Sequence, residues 1–137
     1  MSLSVYLAAR FSRKAEMRQY ADDLASTGID VTSIWIHDDK HEWTGAPDDQ
    51  IPPHALARFA REDLRDIDAA DAVVVFTDSP SSKGGMWVEV GYAIGRDIPL
   101  LIVGPVANVF CAVIEDRYET WPDALTALAD LARERAP

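Results

Sequence analysis

The chain has 137 residues, with 23 acidic against 13 basic side chains and a formal net charge of −10. That length suits one domain with a full core and is too short for two, and the charge repels a phosphate polymer, which argues against nucleic acid as a partner. No apolar run approaches the roughly 18 residues of a membrane span, and the single cysteine, Cys111, excludes an intrachain disulfide and fits a reducing compartment.

Met1 leads into an apolar run without a charged leader, so no signal peptide and a cytoplasmic location are expected. Leu3 to Ala8 reads as the first strand. Ser12 is placed to cap a helix through Ser26, with Met17, Tyr20, Ala21 and Leu24 on one face and Gly28 at its C-terminal stop. Asp30 to Ile36, rich in β-branched residues, is a second strand. His37 to Pro53 forms a long polar loop beside Trp35 and carrying Trp43, and loops of that length in a compact domain are usually functional.

A helix starts at Pro52 or Pro53 and runs to about Ala69. Strand three is Ala72 to Thr77, a helix over Gly84 to Arg96 follows, and strand four is Pro99 to Val103. Beyond Gly104-Pro105 the pattern weakens to helical turns over Asn108 to Ile114 and a short edge strand over Arg117 to Thr120. Trp121-Pro122 opens a last helix to about Arg135, with Leu125, Leu128, Leu131 and Ala132 as its stripe. Alternating strands and helices of this kind predict one α/β domain over residues 1–137, a doubly wound, flavodoxin/Rossmann-like sheet of five parallel strands in the order 2-1-3-4-5.

Ligands of such sheets bind beyond the carboxyl ends of the strands, at the switch point between strands one and three. Two loops flank that point, Ala9-Arg10-Phe11-Ser12-Arg13-Lys14 and Asp78-Ser79-Pro80-Ser81-Ser82-Lys83-Gly84-Gly85. Both are basic patches in an acidic chain, and both enter helix N-termini, where free N–H groups and the dipole favour an anion. Two acids stand out. Glu89 lies one turn into its helix beside Met86, Val90 and Ala93, either as a solvated flank residue or as a pocket acid held ionised by the dipole. Asp63 falls within the apolar face formed by Leu56, Phe59, Ala60, Leu64 and Ile67. A carboxylate there is costly unless paired or functional, so it either surfaces in a cleft or forms a local ion pair. Asp71, at the entry of strand three, reads as structural.

The run from His37 to Glu42 holds two histidines and three acids, but an intervening lysine and a loop setting argue against a metal site; a solvated loop or a base-pocket lid formed by His37, His41 and Trp43 fits better. Phe11 and Trp43 are candidates for stacking on a nucleobase, and Cys111 reads as a core residue. No cofactor and no metal is called for.

Together these residues resemble the nucleoside 2-deoxyribosyltransferase family and its hydrolase relatives, the 2′-deoxynucleoside 5′-phosphate N-hydrolases and pyrimidine-nucleotide N-glycosidases. The resemblance runs from Val5-Tyr6-Leu7-Ala8 to Gly104-Pro105. It rests on the tyrosine-bearing first strand, on Asp63 eight residues before Asp71 of Ala70-Asp71-Ala72, and on the glycine-led turn into Glu89-Val90-Gly91-Tyr92-Ala93. It implies a small nucleotide or nucleoside as substrate, with Glu89 attacking C1′ to give a covalent glycosyl-enzyme. It also implies that Asp63 manages the proton at the leaving base and that Tyr6 orients Glu89 through its hydroxyl. A homodimer is implied too, with residues near Asn108 completing the neighbouring site.

The chain departs from the family pattern in two places. Ala9-Arg10 stands where many transferases have Gly-Pro. Lys83, six before Glu89, stands where they carry the aspartate that holds the sugar 5′-hydroxyl. A cation there suits a 5′-phosphate better than a hydroxyl. Arg10, Ser81, Ser82, Lys83, Gly84 and Gly85 therefore form the expected phosphate side of the site. The favoured expectation is a nucleotide N-hydrolase; a deoxyribosyltransferase and a catalytically silent nucleotide-binding module are the alternatives.

Overall fold

The computed structural model describes residues 2–37, 46–79 and 84–135. Five parallel strands form one sheet: β1 (Ser4–Ala8), β2 (Asp30–Val31), β3 (Ala72–Phe76), β4 (Leu100–Val103) and β5 (Asp116–Tyr118), in spatial order β2-β1-β3-β4-β5. Tyr6 lies opposite Val73, and Val73 opposite Leu100. The expected topology is thus the observed one, with the switch point between β1 and β3.

Every residue of β3 is buried, as befits a strand covered on both faces. Side-chain alternation divides the interior in two. Leu3, Val5, Leu7, Val74 and Phe76 face helices α1 (Lys14–Ser26) and α4 (Trp121–Arg135), meeting Met17, Leu24, Ala124 and Leu128. Tyr20 stacks between Phe76 and Trp121 on that side, with ring centroids 5.4 and 4.6 Å apart. Tyr6, Ala8, Val73 and Val75 point the other way, toward α2 (Pro53–Asp68) and α3 (Gly85–Gly95), meeting Ile67, Met86, Val90 and Ala93.

The local differences from expectation have identifiable causes. β2 stops after two residues because Ser33 takes over from the strand: its buried hydroxyl accepts the Leu7 N–H at 3.1 Å. The chain then turns through a 3₁₀ segment, Ile34–His37, whose Ile34 N–H donates to Asp66 at 3.1 Å. Ser12 lies inside a 3₁₀ turn, Phe11–Arg13, and caps nothing; α1 begins at Lys14. β5 starts at Asp116, one residue earlier than expected, and ends at Tyr118. Asp71 is structural: it accepts the Ser4 N–H at 2.9 Å and pairs with Arg135 at 3.1 Å, fastening α4 to the amino end of the sheet. No helix among the described residues is long and apolar enough to cross a membrane.

Candidate active site

Three elements converge on the α2/α3 side of the switch point. The parity of β1 sends Tyr6 to that side, where its side chain is fully buried. α3 packs Met86, Val90 and Ala93 onto the sheet, which leaves Glu89 on the helix flank toward β1. The Tyr6 hydroxyl donates to Glu89 Oε2, joining residues 83 positions apart. From α2, Asp63 is half-buried and close enough for its charge to act on both partners. The fold thus brings together Tyr6, Asp63 and Glu89, three residues expected at the site.

The charge state of Glu89 differs from the dipole-held carboxylate considered above. Burial pushes its pKa from 4.5 up to about 8; the Tyr6 hydrogen bond opposes that rise and the Asp63 charge adds to it. Glu89 is the fifth residue of α3, beyond the first turn in which the dipole is felt, so desolvation prevails. Tyr6 is raised strongly as well, by burial first and then by the charges of Glu89 and Asp63. It therefore remains a neutral hydrogen-bond donor at any working pH.

The cationic side of the site is narrower than the sequence suggests. Arg10, two residues past the end of β1, has a buried Nε that makes no hydrogen bond among the described residues. Arg13 is engaged: it pairs with Glu16 at 2.7 Å and with Asp78 at 2.5 Å, and its guanidinium lies over the Phe76 ring. Lys14 Nζ sits 4.2 Å from the centre of the exposed Phe11 ring. Gly84 takes the left-handed conformation, φ 78°, before α3, and Gly85 is the first helical residue. Ser81, Ser82 and Lys83, like His41 and Trp43, lie outside the described residues.

Two further positions emerge from the structure. The Trp35 indole donates to the Leu7 carbonyl at 2.9 Å, and its ring lies 6.0 Å from that of Phe11, forming an aromatic wall beside the end of β1. Only its place next to a long loop hinted at this. The Asn108 side chain caps the 3₁₀ helix Val109–Val113, accepting the N–H groups of Phe110 and Cys111 at 3.0 and 3.3 Å. Among the described residues no three His, Cys, Asp or Glu side chains form a group that could hold a metal ion.

A half-buried carboxylate on a tyrosine hydroxyl, with a second carboxylate nearby and an arginine at the strand end whose buried Nε makes no hydrogen bond among the described residues, suits displacement at a carbon that becomes cationic. Comparisons with known proteins show the family and the fold. The family model for nucleoside 2-deoxyribosyltransferase matches residues 5–121. Among curated proteins, none matches the chain by sequence. Solved structures share the fold. The 2-deoxyribosyltransferase of Bacillus psychrosaccharolyticus is 17% identical with a TM-score of 0.68, over 91% of this chain and 95% of that one. A conserved protein from Enterococcus faecalis is 17% identical at 0.66, over 96% and 99%. The CMP N-glycosidase of Clostridium botulinum is 19% identical at 0.53, over 93% and 98%.

Proposed function

The chain belongs to the nucleoside 2-deoxyribosyltransferase family, and from that premise we propose that it hydrolyses the N-glycosidic bond of a nucleoside 5′-monophosphate. The observation that carries the reading is the hydrogen bond from the buried Tyr6 to the half-buried Glu89, with the Asp63 charge close enough to act on both. In the proposed reaction a Glu89 carboxylate oxygen bonds to C1′ as the C1′–N bond breaks, and the base leaves with the electron pair. Near neutral pH Glu89 holds a proton; it must lose that proton to attack, and the departing base must gain one. Asp63 is the group that relays it. Water then attacks C1′, returns a proton to the carboxylates and frees the sugar phosphate. Tyr6 keeps one Glu89 oxygen tied, so that the other faces the sugar.

The choice of a monophosphate rests on Arg10, whose buried Nε makes no hydrogen bond among the described residues, and on Lys83 in the sequence. Phe11 and Trp35 would flank the base. The protein is read as a single domain over 1–137, working in the cytoplasm as a homodimer. The exposed Val106, Val109, Phe110 and Val113 next to Asn108 favour a partner there.

The test is a panel of nucleosides and their monophosphates, with and without an acceptor base, followed by chromatography of released base. Base release from a monophosphate is expected, and Glu89→Ala should reduce it on the order of a thousandfold or more. Full activity in Glu89→Ala would remove Glu89 from the nucleophile role. New nucleoside formed with acceptor, and little free sugar without it, would make the protein a transferase. Tight binding with no turnover would make it a binding module.

A further inference from the structure

Arg13 and Asp78 form an ion pair that the proposed reaction does not use. Asp78 lies two residues past the end of β3, as Arg10 lies two past the end of β1, and these strands are neighbours at the switch point. An unpaired carboxylate there would repel an anionic substrate entering an already acidic chain. The Arg13 side chain is only 12% exposed, its guanidinium is 5.3 Å from the Phe76 ring centre, and Phe76 belongs to the α1/α4 side of the sheet. Nη1 also lies 3.4 Å from the Ser79 hydroxyl. The remaining edge of the guanidinium is held by Glu16, 2.7 Å away, whose other contact is the Tyr20 hydroxyl at 2.5 Å. The arginine is thus anchored from α1 and draws Asp78 to the face opposite Tyr6 and Glu89.

We propose that Arg13 is a positioning residue that sets preference for the 5′-phosphate by neutralising Asp78 and turning it away from the mouth of the site. It acts through Asp78, not by touching substrate. The inference rests on the monophosphate reading above.

The experiment compares KM and kcat for a nucleoside and its monophosphate in four proteins: wild type, Arg13→Met, Arg13→Lys, and Arg13→Met with Asp78→Asn. Arg13→Met keeps an unbranched apolar side chain beside Phe76 but loses the charge. It should raise KM for the monophosphate about five- to tenfold, with less than a twofold change for the nucleoside, and the gap should narrow as salt rises. Arg13→Lys should retain most of the preference, and adding Asp78→Asn to Arg13→Met should restore it. Equal losses on both substrates, or no rescue in the double variant, overturn the inference, because a purely structural arginine would behave so. Folding of each variant is followed by thermal unfolding; if Arg13→Met fails to fold, Asp78→Asn alone carries the test and should leave phosphate preference intact or improve it, with a fall overturning the proposal. A wild type indifferent to the phosphate overturns the functional reading itself, whereas a selective wild type whose preference survives Arg13→Met overturns only this step.

Discussion

Replacing Glu89 by glutamine removes a carboxyl group that folding holds in an unfavourable place. The glutamine carbonyl still accepts the Tyr6 hydroxyl and its amide still faces Asp63, so the change in charge dominates the change in contacts. The folded-state pKa of about 8 lies above the ordinary 4.5. Between those two values the folded chain keeps a proton that the unfolded chain releases, so the ionisation of Glu89 costs stability progressively as pH rises through that window. The rise, from 4.5 to about 8, amounts to ~4.8 kcal/mol at 1.36 kcal/mol per unit. Glu89 is half-buried and not sealed from water, which reduces the figure to about 2–3 kcal/mol at pH 9 and about 1.5–2 kcal/mol at pH 7. Urea unfolding of both proteins at pH 4, 7 and 9 measures it, provided the denaturant slopes agree. Glu89→Gln should match wild type at pH 4 and be the more stable at pH 7 and above. A difference that does not vary with pH, or a loss of stability at pH 9, would refute the assignment of Glu89 as a desolvated acid.

Two further outcomes follow from the same geometry. Tyr6→Phe removes the hydrogen bond that holds the Glu89 pKa down, so the Glu89 titration midpoint should move upward by about one to two pH units, a charge-assisted hydrogen bond being worth roughly 1.5–3 kcal/mol; carboxyl-carbon NMR reads the midpoint without substrate, and a downward shift would contradict the pairing. Gly104→Ala should be strongly destabilising, because at φ +124° a methyl group would stand 2.6 Å from Thr77 Oγ1 and 2.7 Å from the Asp78 nitrogen. Strain of this kind costs about 2–4 kcal/mol, to be seen as a lowered thermal midpoint, and an unchanged midpoint would show that the two loops do not meet there.

How much of this was legible in the sequence depends on how local each determinant is. The strand order follows from the alternation of strands and helices, and Asp63 and Glu89 stand out through helical period and the glycine-led turn, all short-range signals; Tyr6 joins them only through the family resemblance. Asp63 announced itself because a carboxylate within an apolar stripe violates the helix's own pattern. What escaped was decided by partners distant in the chain. Ser33 ends β2 by accepting from Leu7, 26 residues away. Arg13 belongs by sequence to a basic patch suited to an anion, but Asp78, 65 residues on, occupies it. Asn108 carries an N-cap signature, an amide two and three residues ahead of N–H groups at a helix start, and its side chain makes that cap.

The charge on Glu89 is the property least visible in sequence and the one the proposed chemistry most needs. A helix start argues for an ionised acid, whereas burial against β1 argues for a neutral one, and burial prevails. In the proposed reaction, an acid that burial holds neutral does not form a charge without a counterpart. A sugar developing positive charge at C1′ supplies that counterpart, so the interaction with Glu89 strengthens as the C–N bond opens and is weakest in the ground state. Stabilisation concentrated in the transition state is what raises a rate. The raised pKa, the tyrosine that moderates it and the nearby Asp63 form one arrangement on this view: Tyr6 keeps Glu89 from becoming too basic to ionise, while Asp63 keeps a proton within reach of the base that must leave.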